Sequence, residues 1–140
     1  MEGSNLNNNF SNSARDGLTD TSFKKLSTHI KKAEMYKDLD TFGSMDPYCK
    51  IKLGQVVKQT KCLKKAGKTP EWNENFTFDG LYILDPTDKV IVELWDKDTM
   101  GDDFGGSCEI SLKEIHDHHI NRLEWHDLYS KNKKAITGKI

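Results

Sequence analysis

Two short segments of the sequence concentrate carboxylates. Residues 38–46, the first aspartate loop, and residues 96–103, the second aspartate loop, together carry seven aspartates and one lysine. Carboxylates that lie close together repel one another, so such clusters are costly unless a cation neutralises them. Neither segment contains His or Cys, and a ligand set made only of oxygens suits a hard cation, calcium more than zinc. The two segments therefore predict a calcium site.

The spacing of these aspartates does not fit an EF-hand. Such a loop needs Glu at its twelfth position. Counted from Asp96 the twelfth residue is Ser107, and counted from Asp38 it is Cys49. Both segments also lie between predicted strands, whereas an EF-hand needs flanking helices. A calcium site here must combine two loops that are distant in sequence.

Alternation of apolar and polar residues with a period of two recurs along the chain and predicts strands. Few stretches have helical periodicity, and the best of them is 112–120. Short strands without alternating helices favour an all-β fold, an eight-stranded antiparallel β-sandwich. The eight predicted strands are 23–32, 48–53, 57–64, 72–78, 89–95, 106–112, 124–129 and 135–140.

Composition limits the remaining choices. The chain has 140 residues, enough for one domain, and no apolar run approaches the ~18 residues of a membrane span. A net charge of −1 argues against a nucleic-acid binder, which is usually strongly basic. Residues 1–21 are rich in Asn and Ser and are expected to form a disordered lead-in, with the domain proper at 22–140.

Five motifs resemble those of the C2 domain, the calcium-dependent phospholipid-binding β-sandwich. They are DTFGSMDPYCKIKL (40–53), TPEWNENFTF (69–78), DKVIVELWDKD (88–98), DDFGG (102–106) and WHDLY (125–129), and they occur in family order. One predicted strand precedes the first aspartate loop, and a strand-like TGKI follows WHDLY. This order resembles the circularly permuted, type II form of the fold.

The resemblance implies a set of calcium ligands and about two calcium ions. Asp102 is an alternative to Asp103 as the last carboxylate, because the second loop is one residue shorter than in many members. The implied carboxylates are Asp40, Asp46, Asp96, Asp98 and Asp103, joined by the peptide carbonyls of Leu39 and Lys97.

The resemblance also implies membrane contacts. Phe42 and Met100 lie at the predicted loop tips, where Met100 could enter the membrane interface and Phe42 could either do so or pack across the base of its loop. A basic face that includes Lys52 either binds phosphoinositide or is a solvated strand face that protects an edge. The positions that match the family's phosphoinositide site are Tyr48, Lys50, Lys61 and Trp95.

Together these features favour a non-catalytic module that binds anionic phospholipid membranes when calcium rises. We expect a cytoplasmic monomer that becomes a peripheral membrane protein, with phosphoinositide or a protein as further partners and no nucleic acid. The sequence contains no phosphate-binding P-loop and no nucleophile elbow. The alternative is a calcium-independent protein-interaction or scaffold module on the same sandwich.

Overall fold

The structure, a computed structural model, describes residues 4–10, 23–39, 43–79, 88–117 and 122–140. These ranges contain ten strands and one short helix, α1 (Leu112–Asp117). In chain order the strands are β1 (Ser4–Phe10), β2 (Phe23–Lys32), β3 (Glu34–Met35), β4 (Pro47–Leu53), β5 (Val56–Gln59), β6 (Glu71–Asp79), β7 (Lys89–Asp96), β8 (Asp103–Ser111), β9 (Asp127–Tyr129) and β10 (Ile136–Lys139).

The strands form two antiparallel sheets. The smaller sheet has the order β1-β2-β6, and the larger has the order β3-β10-β9-β8-β7-β4-β5. Buried residues of both sheets, among them Leu26 and Phe78 from the smaller and Ile51 and Val92 from the larger, belong to one hydrophobic core. The predicted all-β antiparallel sandwich is therefore confirmed.

Period-two burial in the central strands matches the sequence pattern. In β7 the residues at even positions from Val90 to Asp96 are buried, and those between them are more exposed. Because opposed residues of an antiparallel pair share a face, the buried side of β4 meets the buried side of β7. The opposed pairs on that face are Cys49 with Leu94, Ile51 with Val92 and Leu53 with Val90.

The number and length of the strands differ from the prediction of eight. β3 is only two residues long and pairs with β10 at the rim of the larger sheet. β5, β9 and β10 are shorter than the predicted segments 57–64, 124–129 and 135–140. Alternation of apolar and polar residues indicates an extended chain, but a segment becomes a strand only where its backbone has a hydrogen-bonded neighbour. The type II permutation stays a prediction.

The segment Ser4–Phe10 is a strand in the structure, although the sequence predicted a disordered lead-in over 1–21. β1 pairs along its whole length with β2, from Ser4 opposite Ile30 to Phe10 opposite Phe23. Backbone groups make these hydrogen bonds, so an Asn-rich segment can pair without the apolar alternation that signals a strand. Residues 1–3 and 11–22 lie outside the described residues, and the domain boundary at residue 22 stays a prediction.

The helix α1 lies within the predicted helical segment 112–120. The Ser111 hydroxyl accepts a hydrogen bond from the Glu114 amide at 3.0 Å, as an N-cap does, and Leu112 and Ile115 are fully buried. Among the described residues, no helix has the length and apolar character needed to span a membrane.

Val92 and Val57 give a matched test of this core. Val92 is fully buried in β7, and Val57 is 54% exposed in β5. Val92→Ala should lower the free energy of unfolding by about 2 kcal/mol because it leaves a cavity, whereas Val57→Ala should change it by less than about 0.5 kcal/mol. Urea denaturation measures both values, and equal losses would contradict the packing described.

Candidate metal and membrane site

Three strand ends meet at one edge of the larger sheet. β4 begins at Pro47, β7 ends at Asp96 and β8 begins at Asp103, and the ladder sets Asp96 opposite both Pro47 and Asp103. Asp46 directly precedes β4. The antiparallel register thus brings the end of the first aspartate loop beside both ends of the second. Asp40 and Phe42 lie outside the described residues.

Hydrogen bonds tie the two aspartate loops to each other. The Asp46 amide donates to Asp96 Oδ1 at 2.8 Å, and the Lys97 amide donates to the Asp46 carbonyl at 3.0 Å. Asp96 is only 3% exposed. A buried carboxylate is costly unless hydrogen bonds or a counter-charge compensate it, and the Asp46 amide supplies part of that compensation.

The Asp46 carboxylate is half-buried and held by a third segment of the chain. Its Oδ1 accepts a hydrogen bond from the Lys65 amide at 2.7 Å, and Lys65 has a positive φ of 55° that turns the chain there. The Cys62 thiol lies 3.4 Å from the Asp46 carbonyl oxygen. The loop after β5 therefore fixes the position of Asp46.

The second aspartate loop is a turn organised around Asp98. The Asp98 carbonyl accepts a hydrogen bond from the Gly101 amide, and Asp98 Oδ1 accepts one from the Met100 amide, both at 3.3 Å. Gly101 has a φ of 125°, which side chains rarely allow. Met100, in the same turn, is the most exposed large apolar residue in the described parts of the chain, at 93%.

Asp102 and Asp103 have different surroundings. Asp102 Oδ1 accepts a hydrogen bond from the Asp98 amide at 3.1 Å, and its Oδ2 accepts one from the Tyr48 hydroxyl. The Tyr48 hydrogen bond is the main cause that lowers the pKa of Asp102. Burial, followed by this hydrogen bond, raises the pKa of Tyr48. Asp103 is exposed and lies opposite Asp96.

The described residues alone do not complete a metal cage. Within them, no group of three or more His, Cys, Asp or Glu side chains is placed to hold a metal ion. The donors that do meet at the edge are carboxylate oxygens, which is the ligand chemistry of calcium. Leu39 packs against the core at half burial, which anchors the chain just before Asp40. The oxygen donors at this edge are therefore of the type that binds calcium.

Among the residues predicted to contact lipid, the three lysines lie at the surface near β4. Lys50 lies with its Nζ 4.7 Å from the Trp95 ring centroid, and Lys52 forms a 2.8 Å ion pair with Glu93. Lys61 is exposed beyond the end of β5. These cations therefore occupy the outer face of β4 and the segment beside it.

Tyr48 differs from the rest of this set because it is buried. Its side chain is 3% exposed and its hydroxyl is bonded to Asp102, so it offers no surface for a lipid headgroup. The sequence pattern set Tyr48 on one face with Lys50 and Lys52, but that pattern does not report which loops cover a strand end. The contact between Tyr48 and Asp102 had no signal in the sequence.

Comparison with known proteins identifies relatives of this chain. A sequence model described as the C2 domain matches residues 24–128. Rabphilin-1 of Caenorhabditis elegans is 35% identical over 107 residues, which cover 71% of this chain and 9% of that protein. Extended synaptotagmin-2-A of Xenopus laevis is 36% identical over 98 residues, which cover 70% of this chain and 10% of that protein. The chain thus spans about a tenth of the length of these relatives.

A solved structure of two C2 domains of extended synaptotagmin 2 with calcium bound superposes with a TM-score of 0.71. Sequence identity to it is 29%, and the match covers 84% of this chain and 43% of that one. Since the family match also spans more than half of the sequence, this chain belongs to the C2 domain family.

Proposed function

We propose that this chain is a non-catalytic module that binds anionic phospholipid membranes when calcium is present. The register of β4, β7 and β8 carries this proposal, because it brings aspartates 50 residues apart in sequence to one edge of the sheet. The exposed Met100 lies in the loop at the same edge. Membership of the C2 family supports a lipid-binding or membrane-targeting role.

We assign calcium coordination to carboxylates of both loops and to two peptide carbonyls, around two ions. The calcium-bound structure of extended synaptotagmin 2 supports this choice of cation. Asp102 is left out because hydrogen bonds from Tyr48 and Asp98 engage both of its carboxylate oxygens. The assigned ligands are the carboxylates of Asp40, Asp46, Asp96, Asp98 and Asp103 and the carbonyls of Leu39 and Lys97.

The mechanism follows from charge. Five ionised carboxylates present a charge of about −5 to an anionic bilayer and repel it. Two bound calcium ions would contribute +4 and leave coordination positions open to phosphate or carboxylate oxygens of lipids. The strands hold the carboxylates at the sheet edge throughout, so the switch from repulsion to attraction requires no large conformational change.

The neighbouring residues add apolar and cationic contacts. Met100, and Phe42 from the other loop, enter the membrane interface once the repulsion is removed. Lys50 and Lys61 attract anionic headgroups, phosphoinositides among them, with at most ~1 kcal/mol for each lysine. Trp95 contributes its ring beside Lys50, while Glu93 partly neutralises Lys52.

We further propose that residues 22–140 form the C2 domain and that β1 adds an edge strand to its smaller sheet. In this account it is a cytoplasmic monomer that becomes a peripheral membrane protein when calcium rises. Its principal partner is the membrane, and a protein partner is a secondary one.

A calcium-independent protein-interaction module is the second candidate. It is favoured by β5, which lies at the edge of the larger sheet with Val56 and Val57 exposed at 45% and 54%. Exposed strand edges can pair with another chain.

A calcium titration watched by thermal unfolding separates the two candidates. Calcium at about 100 times its Kd should add ~2.7 kcal/mol to the free energy of unfolding and raise the Tm. The double variant Asp96→Asn with Asp98→Asn should lose this shift because it removes two of the proposed ligands.

The matched control is Asp79→Asn with Asp127→Asn, which changes the net charge equally at two exposed strand residues outside the loops. It should keep the calcium shift of the wild type. An unshifted wild type would favour the protein-interaction module instead.

The contribution of Met100 can be measured separately. Met100→Ala should weaken binding to phosphatidylserine liposomes in saturating calcium by about tenfold, because burial of an apolar side chain in the interface contributes ~1.5–3 kcal/mol. Calcium affinity without liposomes should stay unchanged. Leu123→Ala, at a residue 38% exposed outside the loops, is the control, and equal liposome affinities for both variants would rule out insertion of Met100.

A further inference from the structure

Tyr48 connects the start of β4 to the second aspartate loop. Its ring is almost fully buried, and its hydroxyl donates a hydrogen bond to Asp102 Oδ2, 54 residues further along the chain. The other oxygen of the same carboxylate accepts the Asp98 amide at 3.1 Å. Asp102 therefore joins the rigid strand β4 to the backbone of a proposed calcium ligand.

The conformation of Asp98 depends on this connection. Its amide is held by Asp102, its carbonyl accepts the Gly101 amide, and its Oδ1 accepts the Met100 amide. These bonds close a turn, and Asp102 attaches the far side of that turn to β4 through Tyr48. Release of Asp102 would leave the turn closed on itself but attached less firmly to β4.

Lys97, at the start of the second aspartate loop, also contacts Tyr48 and the residue that precedes β4. Lys97 Nζ lies 5.9 Å from the Tyr48 ring centroid, and the Lys97 amide is bonded to the Asp46 carbonyl. The Tyr48 hydroxyl donates to a carboxylate oxygen of Asp102, and hydrogen bonds to carboxylates are stronger than those between neutral groups.

We infer that Tyr48 is a positioning residue, whose hydrogen bond to Asp102 holds the second aspartate loop in the conformation in which Asp98 can ligate calcium. This inference rests on the proposed calcium function. Asp102 acts here as a brace, and Asp103 is the ligand. Without the brace only a fraction of molecules has the binding-competent loop, and the apparent calcium affinity falls by that fraction.

Hydrogen exchange of the calcium-free protein tests the brace itself. Tyr48→Phe keeps the buried ring and removes the hydroxyl, so the Asp98 amide, which Asp102 accepts, should exchange about tenfold faster, the factor expected for the loss of one hydrogen bond to a charged group. Tyr129→Phe, at a tyrosine of β9 that is 41% exposed, should leave that rate unchanged. Equal rates in wild type and Tyr48→Phe would overturn the inference.

Calorimetric calcium affinities test the consequence. Tyr48→Phe should weaken calcium binding by about tenfold, and Asp102→Ala should weaken it by at least as much. In the Asp102→Ala background, Tyr48→Phe should add nothing, because its partner is gone. Independent, multiplying effects would overturn the brace.

Calcium binding by the wild type distinguishes failure of the positioning role from failure of the proposed calcium function. A wild type that binds calcium with the same affinity as Tyr48→Phe overturns only the positioning role of Tyr48. A wild type that binds no calcium overturns the proposed function and, with it, this role.

Discussion

The pairing of β4 with β7 and of β7 with β8 is the constraint on which the rest of this protein depends, because it brings aspartates of both loops to one edge of the larger sheet. β4 pairs with β7 in regular register, and β7 pairs with β8 across one register shift between Leu94 and Trp95, so the loop ends cannot separate without breaking backbone hydrogen bonds. Amide donors offset part of the charge, as Asp46 does for Asp96 and Lys65 does for Asp46. A bound cation would offset what remains, so the proposed calcium site predicts that the fold gains stability from calcium.

The sandwich contributes rigidity, and the loops contribute the chemistry. The inner faces of β4 and β7 are filled by fully buried residues such as Ile51 and Val92, so the strand ends are fixed by the core. The outer face of the same two strands carries Lys50 beside Trp95. An acidic edge and a basic face thus share one pair of strands, and neutralisation of the edge would leave a surface that is attractive to an anionic membrane.

Much of this arrangement could be predicted from the sequence, because alternation reports directly on which side chains face the core. Val90, Val92 and Leu94 are buried together, as their spacing predicts. β1 and β3 could not be foreseen, since backbone pairing of a polar or very short segment leaves no periodic signal. The calcium ligand set stays a prediction.

Tyr48 shows the same limit at the level of the site. Its spacing relative to Lys50 predicts an outward-facing ring, and the resemblance assigned that ring to lipid. In the structure Tyr48 is buried, with its hydroxyl on Asp102. A contact between a strand residue and a loop residue 54 positions further along the chain depends on tertiary structure, which local periodicity does not predict.

Co-sedimentation with phosphatidylserine liposomes, in calcium and in chelator at physiological salt, tests the central claim most directly. Calcium should convert the acidic edge from repelling to binding the anionic surface, so the account predicts that the protein pellets only in calcium. Equal pelleting in both conditions would place binding on the lysine face instead, and no pelleting in either would contradict a membrane-binding function.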